Sequence, residues 1–187
     1  MDGKSAQTPR ARLFVALDLP EEVRRALGAW GAKAGEASGG TLRAVPPQNL
    51  HLTLAFLGAR EEAEVPAIGA IVTATAGATP HLSLGAPLWL PPRRPGVLTV
   101  EVDDHTGALN TLHASLTAAL QAGAAFMPET RPFRPHITVG RVPRGHRIRP
   151  QDTDLSSPPS ATIPATALIL YRSRAGRYEP LARRALL

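Results

Sequence analysis

Leu50-His51-Leu52-Thr53-Leu54 and Pro135-His136-Ile137-Thr138-Val139 are two copies of one short pattern, and a shift of 85 residues carries the first onto the second. Each is a His-x-Thr triplet set in an apolar run. In an extended strand successive side chains face opposite ways, so His51 and Thr53 share one face while Leu52 and Leu54 fill the other. The second copy repeats this, with His136 and Thr138 outward and Ile137 and Val139 inward. Two imidazoles and two hydroxyls lining one cleft form a set suited to acid-base chemistry on an oxyanion such as phosphate.

A single triplet carries little weight, because six His and 15 Thr give roughly 0.5 such triplets per chain by chance. The surrounding chain repeats at the same shift. Leu13-Phe14-Val15-Ala16-Leu17-Asp18 falls on Leu98-Thr99-Val100-Glu101-Val102-Asp103, two β-rich runs ending in an acidic turn. Leu27 falls on Leu112 within helical patterns, and Leu82-Ser83-Leu84 falls on Ala167-Leu168-Ile169. The chain therefore reads as an internal duplication, 12–90 and 97–178, within one domain spanning 1–187 whose halves interleave and whose first residues, 1–11, are flexible.

A lone histidine on a half-buried strand is usually a hydrogen-bonded structural residue. The matched pair, each followed by a threonine, instead makes His51, His136, Thr53 and Thr138 the catalytic candidates. His81 in Pro80-His81-Leu82-Ser83 offers similar chemistry but meets Thr166 at the same shift, and is read as structural with His105, His113 and His146. Two histidines without a His-Glu-x-x-His pattern or cysteines make at most half a metal ligand set, so no metal and no cofactor is expected.

With 43% hydrophobic residues the chain can bury a proper core, and it has no run of 18 apolar residues that would cross a membrane. Zero cysteines exclude disulfides and thiolate nucleophiles. A polar N-terminus without a signal peptide's apolar segment points to a cytoplasmic protein. The net charge is +6 and 19 of the 21 basic residues are arginines, the side chain that grips phosphate bidentately. Arg131, Arg134, Arg141, Arg144, Arg147 and Arg149 crowd around the second triplet, although the Ala-, Gly- and Pro-rich composition suggests that part of the excess is bias. Only four Phe, two Trp and two Tyr occur, without the regular interleaving of a single-strand-binding platform.

Strands are expected at Leu13 to Leu17, around the first triplet up to Gly58, Leu82 to Leu90, Val97 to Val102, Ile137 to Val142 and Ala167 to Tyr171. Helices are expected from Pro20 to the glycines 35–40, from about Glu61 to Thr75, and from Thr106 to Ala122. Pro91 to Gly96 reads as the turn between the halves. Pro143 to Pro164 reads as an exposed, partly mobile loop able to act as a lid, and Arg172 to Arg177 as a solvated basic hairpin turn.

These residues resemble the two-histidine phosphoesterase superfamily, and within it the RNA 2′,3′-cyclic phosphodiesterase branch historically called 2′-5′ RNA ligases. Four segments carry the likeness: residues 13–17, Asn49 to Gly58, Arg131 to Arg141, and Leu170 to Ser173 with Gly176 and Tyr178. The resemblance implies an α+β, pseudo-symmetric two-lobed fold, each lobe an antiparallel sheet backed by helices, with a metal-independent catalytic cleft between them. It implies hydrolysis of 2′,3′-cyclic phosphates, on RNA 3′ ends or nucleotides, to a 2′-phosphate by a monomer. His51 is then the proton donor to the 3′-oxygen and His136 the acceptor from water, with Thr53 and Thr138 on the non-bridging oxygens. Arg141 and Arg134 contact base or phosphate, and Phe14 walls the cleft. The alternatives are 2′-5′ RNA ligation by the same residues, or a non-catalytic nucleotide- or RNA-binding module.

Overall fold

The computed structural model describes residues 9–153 and 155–186. Its strands are β1 (Arg10–Leu17), β2 (Arg43–Ala44), β3 (Leu52–Glu61), β4 (His81–Leu90), β5 (Val97–Asp104), β6 (His136–Arg141), β7 (Thr162–Pro164), β8 (Ala167–Arg174) and β9 (Arg177–Ala185). Three helices join them: α1 (Glu21–Ala37), α2 (Val65–Ala74) and α3 (Ala108–Ala124).

The strands form one antiparallel sheet in the order β7-β4-β5-β6-β3-β1-β8-β9, with β2 paired to β6. The two motif strands meet at its centre, where Leu52 lies opposite Ile137. Outward from that junction, β1 flanks β3 and β5 flanks β6. The next positions are exchanged between the halves: β4 pairs with β5, and β8 pairs with β1.

The register departs from a constant shift. Leu17 pairs with Leu52 and Val100 pairs with Ile137, so the counterpart of Leu17 is Val100 rather than Val102. A slip of two residues preserves which face each side chain takes, so the outward and inward sets survive it.

One face of the sheet is covered by helices around a single apolar core that includes Leu13, Val15, Leu17, Leu52, Leu54, Val100, Ile137 and Val139. In α3, Leu109, Leu112, Leu116 and Leu120 are fully buried. Their spacing puts them on one stripe, and burying each is worth about 1.5–3 kcal/mol. The helix is started from β5: Asp104 Oδ2 accepts the backbone N–H groups of Leu109 and Asn110 at 3.0 and 3.2 Å, satisfying two otherwise free donors.

In α1, Glu21 and Glu22 oppose the dipole at the first turn, and Val23, Leu27, Trp30 and Ala34 face the core. Three glycines lie on the same side. A Cβ on Gly28 would sit 2.6 Å from Pro47, and one on Gly31 would sit 3.0 Å from the Val139 carbonyl. Each glycine costs a helix about 1 kcal/mol relative to alanine. The cost is offset here by letting α1 rest directly on the second motif strand and on the turn that precedes the first.

Several expectations need correction. Residues 1–8 of the expected flexible segment lie outside the described residues, whereas Arg10 and Ala11 already pair with Glu61 and Arg60. β3 continues past Gly58 to Glu61, so α2 begins only at Val65 after a short 3-10 turn. The segment expected as a loose lid is held down: β7 pairs with β4, Ile163 is buried, and the Trp30 indole donates to the Ser156 carbonyl at 3.0 Å. The basic turn at 172–177 heads a hairpin as expected, but its second strand, β9, was not expected and pairs with β8 along its length.

Candidate active site

The uncovered face of the sheet carries a cavity of about 430 Å³ whose lining includes His51, Thr53, His136 and Thr138. Adjacency of β3 and β6 brings the two triplets together, and strand alternation turns all four side chains to the same side.

Both imidazoles are held by the same backbone device. His51 Nδ1 lies 2.7 Å from the Asn49 carbonyl oxygen, and His136 Nδ1 lies 2.7 Å from the Arg134 carbonyl oxygen. A carbonyl only accepts, so Nδ1 carries the hydrogen in each ring and Nε2 is the nitrogen left for chemistry. Neither threonine hydroxyl has a hydrogen-bond partner among the described residues, which leaves both free to donate to an anion.

A second shared device follows each triplet. In β6, Thr99 pairs with Thr138 and Leu98 with Gly140, so Val139 is an extra residue, a β-bulge. The bulge reverses the alternation. Gly140 turns to the core, where a Cβ would come 2.8 Å from Leu42, and Arg141 turns into the cavity. This explains why position 140 is glycine. In β3, Ala16 pairs with Thr53 and Val15 with Ala55, so Leu54 is the extra residue and Phe56 emerges into the cavity. Phe56 and Arg141 each stand five residues beyond their histidine, one exposed apolar ring and one exposed guanidinium.

The surroundings of the two imidazoles differ. The His51 ring lies 4.8 Å from Phe14 and 5.2 Å from Tyr178, and Phe14 stacks on Tyr171 at 5.2 Å. Burial in this aromatic box lowers the His51 pKa from 6.5 to about 4. The hydrogen bond to Asn49 opposes that shift, and the charges of Arg141 and His136 add to it. His51 is therefore neutral at pH 7 in the open cavity. His136 has no aromatic ring contact among the described residues.

Of the other expected contacts, Phe14 and Arg141 line the cavity and Arg134 does not. Its guanidinium is held 2.5 Å from Glu101, and what it presents to the site is the carbonyl that orients His136. Sequence reasoning missed Tyr178, Phe56, Arg12 and Glu129, all of which line the cavity. It also missed Asn49, whose carbonyl holds His51 while its side-chain amide donates to Gly176 at 2.8 Å, tying the β8–β9 turn to the first histidine. Tyr178 follows the positive-φ pair Ala175 and Gly176. That turn signal marks a hairpin, and the hairpin brings the tyrosine back over the site.

The histidines set aside lie elsewhere. His105 Nε2 is 2.8 Å from Ser83 Oγ, and His113 stacks on Phe133 with ring centroids 3.9 Å apart. Among the described residues no group of three or more His, Cys, Asp or Glu gathers to hold a metal ion. Among the described residues no helix is long and apolar enough to cross a membrane.

Comparison with known proteins agrees with this architecture. The chain is 28% identical over 190 residues to the RNA 2′,3′-cyclic phosphodiesterase of Escherichia coli K12, covering 94% of this chain and 96% of that one. It is 35% identical over 142 residues to the RNA 2′,3′-cyclic phosphodiesterase of Thermus thermophilus, covering 70% and 68% of the two chains. The crystal structure of E. coli LigT complexed with 3′-AMP superposes with a TM-score of 0.75 at 31% identity, covering 95% of this chain and 99% of that one. Residues 19–177 match the model of the 2′-5′ RNA ligase superfamily. The fold, the paired His-x-Thr strands and these likenesses converge: the chain belongs to the 2′-5′ RNA ligase superfamily, the two-histidine phosphoesterases.

Proposed function

We propose that this protein is an RNA 2′,3′-cyclic phosphodiesterase that opens the cyclic phosphate to a 2′-phosphate. The observation that carries the reading is the convergence of His51, Thr53, His136 and Thr138 on one cavity, with both imidazoles fixed in the same tautomer. The names of the relatives supply the substrate class.

In this reading water attacks phosphorus in line with the leaving 3′-oxygen. His136 Nε2 takes the water proton, a P–O bond forms, the P–O3′ bond breaks, and His51 Nε2 gives its proton to the departing oxygen. Thr53 and Thr138 donate to the non-bridging oxygens, where charge grows in the transition state. Arg141 holds the phosphate or base, and Phe14 packs behind His51. The assignment places a demand on His51, which is neutral in the open cavity. It acquires its proton once the anionic phosphate offsets the charge of Arg141 and favours the imidazolium. The same reading takes the chain as a monomeric cytoplasmic enzyme of RNA processing that needs no metal or cofactor.

The test supplies a 2′,3′-cyclic mononucleotide and a cyclic-phosphate-ended RNA in excess chelator, with product analysis. Release of 2′-phosphates, lost in His51→Ala and in His136→Ala, supports the reading. No hydrolysis of either substrate, or hydrolysis unchanged in both variants, overturns it. Joining of RNA ends in place of hydrolysis would identify a ligase, and loss with chelator a metal enzyme.

A further inference from the structure

A second cavity, about 450 Å³, opens where β6 ends, between the β4–β5 turn and the loop that follows Arg141. Its lining includes Arg93 and Arg94 from the turn and Arg144, His146 and Arg147 from the loop, and among the described residues no Asp or Glu. The two walls are joined by the Val142 N–H, which donates to the Gly96 carbonyl at 2.8 Å. All four arginines are exposed, and none forms an ion pair among the described residues. Arg24, Arg60, Arg131, Arg134 and Arg172 each pair with a carboxylate elsewhere, whereas these four converge on one concave lining with their guanidinium groups unpaired among the described residues.

The cavity is continuous in sequence with the catalytic one. Arg141 lines the first cavity and Val142 the second. Three peptide steps place the Cα atoms of Arg141 and Arg144 within about 11 Å of each other, the reach of a few nucleotides. Because β3 and β6 are antiparallel, their C-terminal ends point to opposite ends of the cleft. One end is walled by Phe56, Phe14 and Tyr178 together with Arg12, and the other gathers four arginines without a Phe, Tyr or Trp.

We propose that the Arg93, Arg94, Arg144 and Arg147 cavity is a binding site for the phosphate backbone of single-stranded RNA 5′ to the cyclic end. This rests on the proposed phosphodiesterase reading, which it deepens by making an RNA strand, and not a free cyclic nucleotide, the preferred substrate. Arginine forks match phosphate oxygens, and a concave, carboxylate-free patch concentrates polyanions. No Phe, Tyr or Trp lines it, so it offers no platform on which bases stack. Recognition there is by charge and independent of base sequence.

The test compares wild type with the fourfold variant Arg93→Gln, Arg94→Gln, Arg144→Gln, Arg147→Gln. A charge-loss control, Arg25→Gln, Lys33→Gln, Arg183→Gln, removes exposed cations from elsewhere. Two readouts are taken: kcat/KM for a cyclic-phosphate-ended octaribonucleotide divided by that for the cyclic mononucleotide, and anisotropy of a fluorescent 2′-phosphate-ended octaribonucleotide across a salt series. The fourfold variant should lower the ratio about tenfold or more. It should also flatten the slope of log affinity against log salt by about 0.7 for each phosphate that the protein no longer neutralises, with the control close to wild type. A ratio and slope equal to wild type, or a control that falls equally, overturns the proposal. Wild type inert on both the mononucleotide and the cyclic-phosphate-ended octamer, yet binding the octamer with the expected difference, indicts the phosphodiesterase reading and leaves the RNA site standing.

Discussion

The two ends of the cleft use the same backbone and opposite side chains. On each side a histidine is held through Nδ1 by the carbonyl two residues earlier, and a bulge just after the triplet turns the fifth residue into the cavity. Around His51 the walls are Phe14, Tyr178 and Phe56, whereas the strand bearing His136 continues through Arg141 into the arginine cavity. Burial without a counter-ion lowers the proton affinity of His51. A symmetric frame thus carries an unsymmetric pair of acids and bases, and the chemistry needs that inequality to assign a direction of proton flow.

The comparison breaks most severely when either imidazole is removed. His51→Ala and His136→Ala should each lower kcat by about 10³-fold, and the double variant should fall little further, since the pair acts as a unit. Single-turnover rates check this, and an additive double loss would show two independent sites. Thr53→Val and Thr138→Val should cost about 10²-fold each, in kcat more than in KM, if both hydroxyls meet the transition state. A loss confined to one of them would show that a single lobe carries the developing charge.

Burial of His51 also makes stability depend on pH, and the sign follows from its lowered pKa. Above pH 6.5 the imidazole is neutral in both states; as pH falls the unfolded chain takes up a proton that the folded chain refuses until about pH 4. Stability is therefore lost across that window, by up to about 3 kcal/mol. Urea titrations should show a shallower pH dependence in His51→Gln. The smallest effect concerns Arg141, whose charge lowers the His51 pKa. Arg141→Gln should raise the His51 pKa and so move the alkaline limb of the kcat/KM profile, which the proton donor sets, to higher pH, and an unmoved limb would mean that His51 does not set it.

Much of this was legible in the chain because alternation and helical spacing are local properties. β2, β7 and β9 were not expected, whereas the His-x-Thr strands and the order of six strands and three helices could be read directly. The bulges at Leu54 and Val139 could not, since one inserted residue leaves no period to detect and is defined only by the partner strand. Arg141 was expected at the site by resemblance, yet strict alternation from His136 would have buried it. Tyr178 and Phe56 were missed for a related reason: their roles depend on which strand lies across from them. β7 was not read within the expected loop because a three-residue strand is too short to show a pattern, and the tie from Trp30 to Ser156 spans a separation that no local pattern reveals.

The exchange of β4 and β8 has a consequence for how the protein can come apart. Each half completes its neighbour's sheet, so cutting the chain at the Pro91 to Gly96 turn yields two pieces that each lack a strand the other holds. Each piece leaves a sheet edge unpaired on its own, so the two halves are expected to unfold together. The distance between the two imidazoles is thus secured by the cooperativity of the whole chain: a molecule that has lost either half has no half-site left to misfire.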